Sequence, residues 1–578
     1  MAFQLSPGVA VVEKDFSAIV PAVSTSAGAF AGVFAWGPVL DPVTITSENT
    51  LIQRFGKPTD SNFDSFFTAA NFLSYTNNLL VVRVDTDNAK NAVTTGTAVK
   101  INNFDDYNTN YSNGEGSVGE WAAKYPGALG NSLKVSMADQ TTFSGWDYEA
   151  EFDSAPSTSS YADSVGGSND EIHVIVIDED GLWTGTQGAI LEKFAYVSKA
   201  SDAKKADGTN NYYKNVINSQ SKYIWWMDHT SSVATSVNGT GTSGVAWGTA
   251  AANVGFKDLT GVITKSLSGG VDDLSATDGQ LEDGFALFAN AEQYDISLIP
   301  LGKVSETVAT YVINNVAEVR LDCVVFASPQ YIVDNTTGGT DGDTIQGAAV
   351  SDMIDAINEY RNALPSTSYA VLDSGAKYQY DRYNDKYRWI PLNGDVAGLA
   401  ARTDYTNDPW WSPAGLNRGQ IKNVVKLAVN PGKTERDNLY KNGVNPVVNF
   451  PGQGTVLYGD KTLQSRPSAF DRINVRRLFI VLEKAIATAA KYQLFEFNDN
   501  FTRAQFKNLV EPFLRDVQGR RGVTDFRVVC DDTNNTGEII DRNEFVADIY
   551  VKPNRSINFI TLNFIAARSS VKFEEIGA

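Results

Sequence analysis

The spacing of apolar residues changes character several times along the chain. Two stretches, 21–84 and 268–417, alternate short apolar runs of strand composition with segments whose apolar residues recur at helical spacing. The predicted strands are 29–34, 79–84, 296–300, 322–326 and 369–372, and the predicted helices are 47–55, 63–75, 305–319 and 347–361. Strands that alternate with helices predict a parallel sheet with right-handed crossovers. We therefore expect an α/β middle domain built from both stretches.

The stretch between them, 85–267, has a different composition. Ser, Thr, Asn, Gly and Asp dominate, and short strand-like islands such as 172–177 remain. Polar, turn-forming residues between short strands are typical of β structure on a protein surface. This stretch predicts one or two inserted β-rich outer domains.

The C-terminal stretch, 418–578, predicts a compact α+β module. Apolar residues over 478–492 form one helical stripe, and a second helix begins with a capping box over 502–505. Pro512 lies inside that second helix and is expected to kink or split it. Three strand-like runs follow, at 526–531, 545–551 and 557–566.

Both ends of the chain contain strand-like residues that have no local partner. Residues 1–20 indicate an extended arm, with Val9, Val11 and Val12 in a short run of strand composition, and a second such run near the C-terminus contains Val571 and Phe573. A lone strand leaves its backbone groups unpaired, so each run needs a partner from elsewhere.

Length and charge narrow the class of protein. A chain of 578 residues predicts two to four domains, and a net charge of −20 argues against nucleic-acid binding. From Arg418 onward there are 24 Lys and Arg against 18 Asp and Glu, whereas the preceding residues carry a net −26. This asymmetry indicates that the two parts face different surroundings. No apolar run is long enough to span a bilayer and no secretory signal is present, so we expect folding in a cytosol and no membrane insertion.

The sequence offers few residues for catalysis. The two histidines, His173 and His229, lack a second ligand at metal spacing, and Cys323 and Cys530 lie in apolar runs typical of buried thiols. The segment 431–434 resembles the end of a phosphate-binding loop, but Leu427 stands where the loop requires glycine. We therefore expect no enzyme activity, catalytic residue, metal or cofactor. Acidic residues are too numerous for a glycosidase pair to be selected, so a carbohydrate-binding or carbohydrate-cleaving surface protein stays open as an alternative.

Several ordered segments near the two ends resemble the contractile tail sheath proteins of large myophages. The C-terminal ones are ERDNLYKNGVNPVV (435–448), PGQGTVL (451–457), SAFDRINVRRLF (468–479), FEFND (495–499), VCDDTNNT (529–536) and INFITLNF (557–564), and the N-terminal ones are LSPGV (5–9) and AGVFAWGP (31–38). Residues 85–267 carry no such resemblance. The sheath of another phage-like contractile injection device is a related alternative.

The resemblance implies an architecture and a set of partners. The arm 1–20 would join residues 418–578 in an inner sheath domain, and terminal arms would complete the sheets of neighbouring subunits. Stacked rings of this homo-oligomer would surround a tail tube protein, with baseplate and tail terminator proteins at the ends, in a virion tail assembled in the host cytoplasm. Arg472, Arg476 and Arg477 are candidate contacts to the tube or to a neighbour, and an intramolecular pair with Asp471 or Glu483 is the alternative.

Overall fold

A computed structural model describes residues 25–230, 244–329 and 349–558. These residues form two compact units: a C-terminal unit of 407–412 and 467–558, and a larger unit of 25–406 and 413–466. The strands are β1 (Gly28–Gly32), β2 (Val43–Ile45), β3 (Leu79–Arg83), β4 (Trp121–Ala123), β5 (Leu133–Asp139), β6 (Glu171–Asp178), β7 (Ala189–Ser198), β8 (Ile224–Trp226), β9 (Ile263–Ser266), β10 (Leu298–Pro300), β11 (Val324–Ala327), β12 (Ala370–Asp373), β13 (Ala376–Asp381), β14 (Lys386–Pro391), β15 (Lys426–Leu427), β16 (Val444–Asn445), β17 (Val447–Phe450), β18 (Gly454–Leu457), β19 (Val523–Val529) and β20 (Asp548–Pro553). The α-helices are Glu48–Phe55, Phe63–Leu73, Phe104–Asp106, Ser160–Ser164, Tyr213–Gln220, Asp278–Ala286, Glu306–Val312, Glu318–Arg320, Val350–Ala363, Asn393–Thr406, Lys433–Lys441, Ile473–Ala490, Asn500–Gly519 and Gly537–Asp541.

A seven-stranded sheet forms the middle of the larger unit, in the order β16-β12-β11-β10-β1-β3-β2. All neighbouring pairs are parallel except β2 with β3, so the predicted parallel sheet is confirmed. Apart from the edge strand β2, its strands are buried on both faces, which explains their apolar runs. Ser47 caps the helix Glu48–Phe55, because its hydroxyl oxygen accepts a hydrogen bond from the Thr50 N–H at 3.2 Å.

The inserted stretch is β-rich, as its composition predicted. The antiparallel sheet β7-β6-β5-β9 and the pair β4-β8 surround an apolar core that is rich in Trp and Tyr. One ion pair inside this stretch, between Lys199 and Asp139, is almost completely buried at 3.2 Å. Such a pair needs further hydrogen bonds to remain favourable, and Asp139 accepts them from Thr141, Thr142 and the Leu259 backbone.

A small antiparallel sheet, β14-β13-β15, contains a tyrosine-rich hairpin formed by β13 and β14. Beneath it, Lys377 forms a fully buried ion pair with Asp395 at 2.9 Å, and the Tyr75 hydroxyl donates to the same carboxylate at 3.0 Å. This network connects the hairpin to the helix that begins at Asn393 and to the end of the helix Phe63–Leu73. It therefore fixes three elements of the larger unit in one arrangement.

The C-terminal unit consists of two long helices packed with an antiparallel strand pair, β19-β20. Leu478, Leu482, Val510 and Leu514 lie in its core, and Trp410 joins them while its indole N–H donates to the Arg520 carbonyl at 3.1 Å. The helical stripe and the first two strands that the sequence predicted are present. The third predicted strand, 557–566, lies almost entirely outside the described residues.

Two expectations for this unit are wrong, and a third is wrong in part. The second helix begins at Asn500 and not with a capping box at Thr502, because Asp499 is the N-cap and accepts from the Thr502 N–H at 2.8 Å. Pro512 does not split the helix, which runs unbroken to Gly519. Its ring lies on the exposed face, where water can reach the carbonyl that has lost its partner. Tyr492 is not part of the core stripe, because the first helix ends at Ala490.

Within the described ranges, none of the helices is both long enough and apolar enough to cross a membrane. The arm residues Val9, Val11, Val12, Val571 and Phe573 lie outside the described residues.

Candidate functional site: exposed edges and an aromatic turn of the C-terminal unit

The strand pair β19-β20 has two outer edges that no other described strand covers. The two strands pair antiparallel from Val523–Pro553 to Val529–Asp548, with an irregularity near Thr524. Within residues 467–558 no third strand pairs with either of them. Each strand therefore presents a row of N–H and C=O groups that another strand can satisfy.

The connection between the two long helices exposes five large apolar side chains. This aromatic turn comprises Tyr492, Leu494, Phe495, Phe497 and Phe501, all of them more than 60% exposed. Phe495 is fully exposed and adopts a left-handed backbone with φ of 71°. A bulky residue rarely adopts that conformation, so the backbone of the turn is strained at this position.

Polar contacts hold the aromatic turn against the rest of the C-terminal unit. The Asn498 side chain donates to the Glu544 carbonyl at 2.8 Å and accepts from Arg503 at 2.7 Å. Arg503 is itself buried and forms an ion pair with Asp532. Because these bonds anchor the polar side of the turn, its apolar side faces outward as a fixed surface.

The three candidate arginines lie near the start of the helix Ile473–Ala490. Arg472 is partly buried, whereas Arg476 and Arg477 are almost completely buried. The Arg476 guanidinium stacks on the Phe470 ring at 4.1 Å. Burial raises the pKa of Glu483, and the positive charge of Arg476 partly offsets that rise. These contacts favour the intramolecular alternative for Arg476.

The basic excess of the last 161 residues is not located in the C-terminal unit. Residues 467–558 hold 14 Lys and Arg against 13 Asp and Glu, a net +1, whereas residues 413–466 hold 8 against 3, a net +5. The second group belongs to the larger unit. Charge alone therefore does not identify the C-terminal unit as the part that faces an acidic partner.

The candidate catalytic groups have structural roles. His173 is stacked on Phe152, accepts from the Tyr196 N–H at 3.1 Å and lies 3.0 Å from the Ser154 carbonyl. His229 lies 2.6 Å from the Tyr213 hydroxyl. Cys323 and Cys530 are buried as predicted, and no group of three metal-binding side chains occurs in the parts of the chain that the structure describes.

Three models of phage tail sheath protein regions match parts of the chain. Residues 28–84 match the tail sheath protein Gp18 domain III N-terminal region, residues 275–463 match the phage tail sheath protein central domain, and residues 465–567 match the phage tail sheath C-terminal domain. The chain is 37% identical to a tail sheath protein of Vibrio phage KVP40 and 34% identical to that of Enterobacteria phage T4. Each match covers 99% of both sequences.

Solved structures share the fold. The sheath tail protein of Desulfitobacterium hafniense aligns with a TM-score of 0.51 at 12% identity, over 95% of this chain and 100% of that one. The helical sheath of the anti-feeding prophage in its contracted state aligns with a TM-score of 0.50 at 12% identity, over 98% and 100%.

The fold is thus that of contractile sheath subunits, a class of structural proteins. Full-length identity above 30% makes the assignment specific: this chain belongs to the family of phage tail sheath proteins.

Sequence reasoning missed the aromatic turn. Tyr492 follows the core stripe at helical spacing, and only the end of the helix at Ala490 turns it to solvent. The signal that could have identified the turn is the group of large apolar residues Leu494, Phe495 and Phe497 in the short segment between two long helical patterns.

Proposed function

We propose that this chain polymerises around a tail tube protein and then contracts by repacking of its subunits, driving the tube through the host envelope. The observation that carries the proposal is the strand pair β19-β20, whose outer edges no other described strand covers and which strands from other copies could extend. Family membership supports the contractile role.

Strand addition explains how a shortening lattice stays connected. Val9, Val11 and Val12 of one copy and Val571 and Phe573 of another would lie along the edges of a neighbour's β19-β20 pair. Each backbone hydrogen bond contributes only about 0.5–1.5 kcal/mol. Several such bonds form for each arm, and every subunit contributes them. Together they link the subunits into a strand mesh that is hard to break.

The energy for contraction would be stored in the extended polymer itself. An assembled state that is trapped behind a barrier releases free energy when its subunits rotate into a better-packed arrangement. This mechanism needs no catalysis, nucleotide, metal or cofactor. Baseplate and tail terminator proteins would hold the two ends of the sheath until release.

The charge of the chain also supports this proposed function. A net charge of −20 disfavours nucleic-acid binding, so the genome is not a partner of the sheath. The acidic insertion, which carries 12 Lys and 22 Asp and Glu over residues 85–267, would face solvent and limit unwanted association. Assembly would take place in the host cytoplasm without membrane insertion, and Arg472 remains a candidate for contact with the tube or a neighbour.

Proline substitution tests the strand addition. Consecutive N–H groups of a strand point to opposite sides, so either Val11→Pro or Val12→Pro must remove a bond to the neighbouring strand. We expect at least one of the two variants to abolish tubular polymers in electron micrographs of the purified chain. The matched controls Val11→Ala and Val12→Ala keep the N–H groups and should still assemble. Normal tubes from both proline variants would refute strand addition at this arm.

A further inference from the structure

The aromatic turn has no part in the strand mesh proposed above, yet its composition is that of a contact surface. We propose that the aromatic turn docks on a second copy of this chain and stays docked in both the extended and the contracted sheath. The inference rests on the proposed polymerisation and adds a second, apolar contact to it.

The exposed area is large enough for a specific interface. An aromatic side chain buries about 150–250 Å² when it is covered, and a standard interface buries about 800 Å² on each partner. The four rings and the leucine of the turn therefore supply most of one side of such an interface. Soluble surfaces rarely leave a contiguous apolar patch of this size uncovered.

The turn is also pre-organised for binding. Asn498 bonds to Glu544 and Arg503, and Arg503 is fixed by its ion pair with Asp532. Asp499 caps the following helix at the Thr502 N–H. Side chains on a fixed turn lose little conformational entropy on binding, so the rings act as rigid anchors.

A contact that persists through contraction explains the apolar side chains of the aromatic turn better than a contact to the tube does. The tube must be released when the sheath contracts, and contacts that form and break are typically smaller and more polar. Rings released from the tube would be exposed to water in the contracted state. A neighbouring sheath subunit covers them in both states.

The described C-terminal unit leaves the turn uncovered. Asn554, close to the last described residue, donates to the Arg521 carbonyl at 2.7 Å near the end of the helix Asn500–Gly519. The aromatic turn lies at the start of that helix, which is about 30 Å long at 1.5 Å per residue. We therefore assign the cover to another copy.

Photo-cross-linking identifies the partner directly. A photoreactive phenylalanine analogue replaces Phe497 in the full-length chain, which is illuminated as tube-free polymer and as complete tails before and after contraction. We expect a cross-linked product of twice the subunit mass in all three samples. The same analogue at Tyr405, which is also exposed but lies in the larger unit, is the matched control.

Substitution provides a second readout. Because both rings are exposed, Phe495→Ser with Phe497→Ser should leave the melting temperature of the monomer unchanged while lowering polymer yield at least tenfold. Tyr405→Ser should leave the yield unchanged. A melting temperature that falls by several degrees would show that the rings stabilise the monomer instead.

Three other outcomes overturn the inference: a cross-link to the tube protein, a cross-link within one chain, or polymers that form normally without the rings. A chain that fails to polymerise without tube refutes self-assembly but not the docking, because the cross-link in complete tails still reports the partner. The two proposals therefore fail separately.

Discussion

His229 is a partly buried histidine that is held in its neutral form. Burial, together with the positive charge of Lys214, lowers the pKa of His229 to about 4, and its ring lies 2.6 Å from the Tyr213 hydroxyl. An unfolded histidine has a pKa of about 6.5. The folded chain thus binds fewer protons between these values, so the contribution of His229 to stability is complete above about pH 6.5 and is lost toward about pH 4.

We expect acidification over this interval to cost up to about 3 kcal/mol at His229. His229→Asn keeps an acceptor for Tyr213 but cannot gain a proton, so urea unfolding of this variant should depend less on pH between 7.5 and 4.5. The double variant with His173→Asn should be flatter still, because burial also lowers the pKa of His173. An unchanged slope in His229→Asn would contradict this assignment.

The N-cap of the second long helix differs between the sequence-based prediction and the structure. Asp499 accepts from the Thr502 N–H, which lowers the pKa of this carboxylate, whereas Gln505 is exposed. Asp499→Ala should lower the melting temperature of the C-terminal unit by several degrees in circular dichroism, and Gln505→Ala should leave it nearly unchanged. A larger effect of Gln505→Ala would restore the predicted capping box.

At the scale of elements, the exposed Pro512 lowers the stability of the helix that contains it. It removes one helical hydrogen bond and crowds the carbonyl of residue 508. Pro512→Ala should stabilise the C-terminal unit by about 2 kcal/mol, since the helical gain of about 3 kcal/mol exceeds the entropy that proline removes from the unfolded chain. Arg515→Ala on the same helix is the control and should change stability by under about 0.5 kcal/mol in urea unfolding. A destabilised Pro512→Ala would show that the proline fits a required bend.

Most helices and strands of the larger unit could be predicted, because the pattern of apolar residues in each one matches its burial in the structure. Strands buried on both faces have continuous apolar runs, and β10, β11 and β12 each follow a helical pattern or precede one. Helix ends were harder to predict. Neither glycine nor proline marks the end of the first long helix at Ala490. The helical spacing of apolar residues continues to Tyr492, so the sequence wrongly predicted that Tyr492 is part of the buried stripe. Interfaces were hardest, because the partners of Val11 and Phe573 belong to other chains in our proposal and no local pattern describes them.

At the scale of the whole molecule, separate cores predict separate unfolding transitions. The C-terminal unit has its own core around Leu482, Val510 and Leu514, while the larger unit has cores around its seven-stranded sheet and its insertion. Calorimetry of an assembly-incompetent variant, such as Val11→Pro, should show more than one transition. Asp499→Ala should move only the transition of the C-terminal unit. A single transition that shifts as a whole would indicate that the units unfold cooperatively.

The order of strands in the seven-stranded sheet has a consequence for synthesis on the ribosome. In this sheet Gly28 pairs with Leu298, 270 positions later, and the insertion lies between them. At about 5–20 residues per second, β1 waits roughly 15–55 s for β10 to be translated. The insertion is complete before the sheet can close, and the C-terminal unit is translated last. Nascent chains therefore lack the β19-β20 edges that would receive a neighbour's arm until translation is nearly finished. The N-terminal arm, although it is translated first, thus finds no acceptor on neighbouring nascent chains, which protects a polymer-forming protein from premature association on polysomes.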